Sequence, residues 1–471
     1  MKIEARNFSR SPTPRTVLIF AAEKMSTPET KAPALPPGLN QAWRFALFNG
    51  LSFQLMQGSA MILYAKSLHA SATVLGIIAG LMPLLVIFQI PAAAHLDRVG
   101  YKRFVVAGWG SRTLFIFGIA LVPFTGGFLD VPTRLTLVLM LLFIFNLVRG
   151  IASCAWMPWI AQLVPENLRG KHVSHDAAMT NLGCFLTTLV AAALLGAAPQ
   201  AWQFSAVFAF SGAAGLWSLV YLKRVPDVPV AVKTRSSREP VPWLAMLRYA
   251  PFAKLLWLVV AWAVAYGGIS AFTVAFLKTE TGMAEGKILL LTSVAFLGGI
   301  SSLWFLGSRL DHLGSKPVLA FSFAMWIVVL AGWVGIAGGL LAPGLAFVIA
   351  LQFLMGLFTA LINMANNRLA MAIVPAQGRN HFFALYSVFA NVAMGLAPIA
   401  WGLFIDAIGT RHAAWLGLDW NRYTIFFAAA AVAFVGTLFV ARRLHEPKAA
   451  SMEQLISDIL ANSPLRFWSR N

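Results

Sequence analysis

Asp97-Arg98-Val99-Gly100-Tyr101-Lys102-Arg103 and Gly307-Ser308-Arg309-Leu310-Asp311-His312-Leu313-Gly314-Ser315-Lys316 are two versions of one pattern. In both, glycine follows aspartate by three positions and lysine follows glycine by two. From Asp97 to Asp311 the offset is 214. A second echo lies further along: Pro165, Arg169 and Asn181 have the spacing of Pro375, Arg379 and Asn391, at an offset of 210. Two matches at nearly one offset, each in an equivalent loop, mark an internal repeat.

The repeat sits in a very apolar chain. Of 471 residues, 59% are hydrophobic and only 11% charged, with a mean hydropathy of +0.74. A soluble protein carries about 25% charged residues, and a water-soluble globule has nowhere to bury so much apolar surface. Disorder requires low hydrophobicity, and a transmembrane β-barrel shows short alternating segments. The composition therefore predicts an all-α membrane protein. Because a crossing needs about 20 mostly apolar residues, we read twelve transmembrane helices, spans 1 to 12: 43–66, 71–94, 104–125, 135–164, 172–198, 203–222, 252–277, 286–306, 317–338, 343–374, 380–405 and 423–441. A linker over 223–251, rich in Pro, Ser and basic residues, separates six-helix bundles at 43–222 and 252–441.

The net charge of +19 would suggest nucleic acid in a soluble protein. Here its distribution sets topology instead. With both termini cytoplasmic, the inner side holds 27 of the 36 Lys and Arg, and the outer loops hold six. That bias predicts the orientation, in a multi-pass protein of the bacterial inner membrane. Arg112, Arg149 and Arg368 lie within spans. Residues 1–42 read as a disordered cytoplasmic arm whose longest apolar run, Val17–Ala22, is too short for a signal-peptide core; Met25 is an alternative start. In the tail, 442–471, Ser451-Met452-Glu453-Gln454 forms a capping box ahead of an amphipathic helix. That helix lies on the inner leaflet or packs on the cytoplasmic loops. Cys154 and Cys184 both fall in apolar segments, which argues against a disulfide framework.

At these loops the chain resembles the major facilitator superfamily, whose loop signature is G-x-x-x-D-R-x-G-x-K. The C-terminal copy has Gly307, Asp311, Gly314 and Lys316, with His312 at the usual arginine. The N-terminal copy has Asp97, Arg98, Gly100 and Lys102, with Ala93 at the leading glycine. The resemblance covers roughly 43–441 and implies two pseudo-symmetric bundles, alternating access, a monomer, and a pathway lined by spans 1, 4, 7 and 10. It also implies that the signature loops act in conformational switching. The physics agrees: the glycines permit a tight turn, and the aspartates can accept bonds from a neighbouring helix N-terminus. The loop is then a latch holding the inner side shut; the simpler alternative is a topological anchor.

Polar groups are costly inside apolar helices and so mark a substrate pathway. Span 1 offers Gln54 and Gln57, span 4 offers Asn146 and Arg149 on one face, span 7 offers Tyr266, and span 10 offers Asn363 and Asn366. The amides supply donors and acceptors, or they glue helices together at about 0.6 kcal/mol each. Asn181 and Asn391, at matching repeat positions, suit the gluing role. Arg149 binds an anionic group or serves as a structural hydrogen-bond hub. Its repeat equivalent is Thr359, so symmetry does not require it.

No Asp or Glu lies deep in spans 1, 2, 4, 7, 8 or 10. Asp176, after His172 and His175, and Asp406 are the remaining seats for a coupling proton or ion. Facilitated diffusion or exchange fits equally well. The expected activity is transport of a small polar organic solute, a sugar or glycoside or an organic anion. Cationic drug efflux is disfavoured without an embedded acid. A membrane enzyme lacks any H-E-x-x-H, G-x-S-x-G or P-loop pattern. A non-transporting sensor would need a signalling module that the short arm and tail do not supply. The triple His172, His175 and Asp176 invites a metal reading, but an interfacial polar cluster is expected; nothing points to a cofactor or nucleic acid, and the expected partners are a small-molecule substrate and the bilayer.

Overall fold

The computed structural model describes residues 38–165, 168–229, 243–306, 314–374 and 379–444. Met25, most of the linker, the Asp311 stretch of the second signature and the tail helix from Ser451 lie outside the described residues.

The described residues form twelve helical spans. Span 1 is Asn40–Gln57 followed by Ser59–Ser67, and span 2 runs over Ala72–Val99. Spans 3 to 6 are Tyr101–Leu121, Val131–Leu163, Arg169–Leu195 and Ala201–Arg224. Span 7 is Ala250–Tyr266 with Ile269–Thr279. Spans 8 to 12 are Glu285–Leu306, Ser315–Ala337, Leu345–Ile373, Arg379–Ile408 and Arg422–Arg442. Among the described residues, ten of these are long and apolar enough to cross a membrane. Span 1 is one of the two that are not, because Asn49, Gln54, Gln57 and the break at Gly58 interrupt it. Span 1 begins at Asn40 rather than 43, and span 2 continues past 94 through short helical turns to Val99, at Pro83 and Pro91 where regular i→i−4 bonding fails.

The packing repeats with the sequence. Span 1 packs on spans 5 and 6, and span 7 on spans 11 and 12; span 3 packs on spans 4 and 6, and span 9 on spans 10 and 12. Each contact recurs six spans later. Gly100 and Gly314 share one backbone conformation, φ +85° and ψ 152° against φ +83° and ψ 164°, directly before the helices that start at Tyr101 and Ser315. Side chains rarely adopt such a φ, which explains glycine in both copies of the signature.

The bundles meet through span 2 against span 11 and span 5 against span 8. We name the two faces of the molecule by their loops: the signature end carries Gly100 and Gly314, and the far end carries the loops after spans 1 and 7. At the far end a two-stranded hairpin, Ala414–Trp415 with Leu418–Asp419, leads into span 12. There Asn421 accepts from the Tyr423 and Thr424 amides at 2.9 and 3.0 Å and donates to the Ala337 carbonyl at 2.8 Å. It is an N-cap and a tie to span 9 at once. Asn421→Ala is expected to destabilise the protein by about 1–2 kcal/mol, read as a lower melting midpoint in detergent; an unchanged midpoint would refute the capping role.

Candidate functional site

Spans 1 and 7 are both broken at the centre of the molecule. Gly58 is extended, at φ −101° and ψ −160°; Gly267 is extended and Gly268 is left-handed at φ +82°. Gly58 and Gly268 are 210 residues apart, the offset of the second sequence echo. Breaks in paired helices free backbone groups and are characteristic of carrier binding sites.

A cavity of about 360 Å³ lies between the bundles at these breaks. From the N-terminal bundle it is lined by Gln57, Gly58, Ser59, Ile62, Ala79, Met82, Pro83 and Val86. From the C-terminal bundle come Tyr266, Gly268, Ser270, Ala271, Val274, Asn391, Met394 and Pro398. The walls are largely apolar, with a few convergent polar groups, the usual character of a small-molecule site.

The polar groups are held by a relay. Asn146 is buried and its Nδ2 donates to the Leu142 carbonyl at 2.9 Å. Its Oδ1 therefore faces span 1 and accepts from Gln57 Nε2 at 2.9 Å. Gln57 Oε1 is left buried without a partner. Opposite, Tyr266 stacks on Trp262 at 4.6 Å between ring centroids, meets Trp326 edge-on at 5.7 Å, and lies beside Thr359 of span 10.

Of the residues expected at the site, Gln57 and Tyr266 line the cavity and Asn146 supports Gln57. Gln54 does not line it; its amide lies against the Gly58 backbone, within 2.2 Å of where a Cβ there would stand. Arg149 is one helical turn from Asn146 toward the signature end, and its Nη1 is buried without a partner. Asn363 is exposed, one turn beyond Thr359 on the same face of span 10. Asn366 is buried away from the cavity, with Oδ1 unpartnered. The i, i+3 pairing of Asn363 and Asn366 places them on adjoining faces, and the packing of span 10 sends only one outward.

Asn181 and Asn391 donate to the carbonyls four residues back, at 2.9 and 2.8 Å, and so repeat the same local bond. Asn391 additionally lines the cavity, a placement the gluing reading did not include. Asp176 is half-buried with Oδ1 unpartnered, while His172 accepts from Trp43 at 3.1 Å and His175 packs on the same ring at 4.6 Å. At the signature end Asp97 and Arg98 are exposed and Lys316 donates to the Leu444 carbonyl at 2.8 Å.

Two features escaped the sequence reading. Arg112, noted only as a cation within a span, is fully buried: Nη2 donates to Asn49 Oδ1, which also accepts from Trp109 Nε1, and the guanidinium lies 5.2 and 5.6 Å from the Trp109 and Phe145 ring centroids. The second is Asp406. What the sequence did not indicate is that it crosses to the other bundle and accepts from the Ala72 amide, the Thr73 amide and the Thr73 hydroxyl at 2.9, 2.8 and 2.6 Å.

The sequence model described as the Major Facilitator Superfamily matches residues 45–334 and 267–468. No curated protein sequence matches the chain. Among solved structures, the nucleoside transporter NupG is similar at 11% identity with a TM-score of 0.64, over 87% of this chain and 99% of that one. The xylose transporter XylE from E. coli, in a partially occluded inward-open conformation, is similar at 15% identity and TM-score 0.65, over 88% and 100%. A POT family transporter in complex with a thioalcohol-conjugated peptide gives 14% identity and TM-score 0.63, over 86% and 95%. At these identities the likeness is one of fold.

Proposed function

This chain belongs to the major facilitator superfamily, and from that premise we propose that it moves a small polar organic solute across the membrane by alternating access, binding it in the cavity between the bundles. The superfamily is one of transporters of small molecules, which supports transport over enzymatic chemistry. The distribution of Lys and Arg supports taking the signature end as the cytoplasmic mouth, with the bundles tied at the far end by Asp406.

The observation that carries the reading is the free acceptor of Gln57. Its amide nitrogen is committed to Asn146, its Oε1 is buried without a partner among the described residues, and the residue lines the cavity. A buried unpaired acceptor costs about 1–3 kcal/mol, and a solute O–H or N–H in the cavity removes that cost. Tyr266 presents an aromatic wall to the body of the solute. Gln57 and Tyr266 are the contact residues, Asn146 orients Gln57, and Asn391 and Ser270 complete the wall.

In proteoliposomes, the protein is expected to take up at least one member of a radiolabelled panel of sugars, nucleosides and organic acids with saturable kinetics. Gln57→Ala should lower kcat/KM for that solute at least tenfold, with the variant still inserted and folded. Wild-type kinetics in a Gln57→Ala, Tyr266→Ala double variant would remove the cavity as the substrate site.

A further inference from the structure

We infer that the solute is an organic anion and that Arg149 is the residue that recognises its carboxylate; this rests on the central cavity being the substrate site. Arg149 sits in span 4 one turn from Asn146, about 4.5 Å along the helix axis toward the signature end, just beyond the residues that line the cavity. Its backbone is pinned beside the cavity wall. At Gly150 a Cβ would lie 2.2 Å from the Leu85 carbonyl oxygen, so span 4 touches span 2 directly before Val86, a lining residue.

Among the described residues the guanidinium has no hydrogen-bond or ion-pair partner. Nη1 is buried and unpartnered. Among the described residues the ion pairs are Lys278–Glu285, His412–Asp419 and Arg422–Glu280, and none involves span 3 or span 4. A structural hub would show hydrogen bonds to neighbouring helices, as Arg112 does to Asn49. Arg149 shows none among the described residues.

Arg112 strengthens the case without touching the solute. Enclosed by Trp109 and Phe145 and bonded to Asn49, it cannot swing into the cleft, yet its charge reaches Arg149. Two like charges inside one bundle, neither of them in a described ion pair, repel each other in a medium that screens poorly. An arriving carboxylate relieves that repulsion and can take a bidentate bond from Arg149. A solute with its carboxylate there and a hydroxyl one turn away donates to Gln57 Oε1. Its body lies against the apolar wall and Tyr266. The arrangement thus selects a small hydroxy acid with a compact apolar or aromatic body.

Binding by the full chain in nanodiscs tests this with three hydroxy acids, each paired with its neutral amide: 3-hydroxybenzoate, mandelate and lactate. At least one acid is expected to bind wild type tenfold or more tightly than its amide. Arg149→Gln should abolish that preference by weakening the acid at least tenfold while leaving the amide unchanged; Arg149→Lys should keep part of it. A structural defect would weaken acid and amide alike. If no acid outbinds its amide, or if the preference survives Arg149→Gln, the inference is overturned. Acids and amides that bind equally and are equally weakened by Gln57→Ala would overturn the charge assignment while leaving the cavity as the solute site.

Discussion

Gly76→Val is expected to weaken closure of the far end and to cut transport more than tenfold. Spans 2 and 11 pack there backbone to backbone. A Cβ at Gly76 would stand 2.2 Å from the Pro398 carbonyl oxygen, one at Gly80 2.3 Å from that of Gly395, and one at Gly402 2.5 Å from that of Ala72. Small residues spaced by four let membrane helices approach this closely, and here the approach joins two bundles that must also separate during the cycle. Overpacking a tight contact costs about 1–3 kcal/mol. The penalty falls only on the state closed at the far end, so it biases the two-state equilibrium by about 5- to 150-fold. Ser270→Cys, placed on the cavity wall, reports the outcome through labelling by a membrane-impermeant thiol reagent, after Cys154 and Cys184 are replaced. In the Gly76→Val background labelling from the far side should rise strongly. Unchanged labelling together with wild-type flux would show that the seam does not gate the cleft.

Asp406→Ala should act in the same direction through chemistry instead of shape. Its carboxylate takes three bonds from the first residues of span 2, across the bundle boundary. The amides at a helix start have no partner within the helix and carry partial positive charge, so a carboxylate is the favoured partner. Opening the far end breaks all three bonds. Hydrogen bonds to a charged group contribute about 1.5–3 kcal/mol when shielded; the Asp406 side chain is exposed to solvent, which places the effect at the low end, about tenfold in the open-to-closed ratio. Asn at 406 keeps one acceptor and should fall between Asp and Ala in the Ser270→Cys labelling assay. Equal labelling of the Asp, Asn and Ala proteins would remove Asp406 from the gate. The backbone bond from the Gly286 amide to the Gly196 carbonyl, 2.7 Å long, closes the companion contact of spans 5 and 8 and is untouched by either substitution. Complete loss of closure therefore requires both seams to yield.

The two seams also locate the limits of the sequence reading. The signature loops were legible because their requirement is local: Gly100 and Gly314 hold a φ that only glycine adopts freely, and that need is visible at a fixed distance from Asp and Lys. Gly58 and Gly268 obey the same logic at the 210-residue offset, but a glycine that breaks a helix resembles one that merely packs, and Gly58 passed as part of a continuous span. Asn363 and Asn366 show the reverse failure. Helical spacing set them near one another, whereas burial depends on which neighbour each meets.

Composition and the run lengths of apolar residues alone determined a polytopic helical membrane protein, and the internal offset alone determined that it is built twice over. Those properties follow from the cost of placing backbone and charge in hydrocarbon, which every segment meets on its own. Only the tertiary structure decided that, among the described residues, Gln57 Oε1 and Arg149 Nη1 have no partner while Arg112 is enclosed, and that Asp406 reaches the other bundle. Each of those depends on a contact between residues tens to hundreds of positions apart, and hydrogen-bond satisfaction is a property of the pair, which no single residue in the chain reveals.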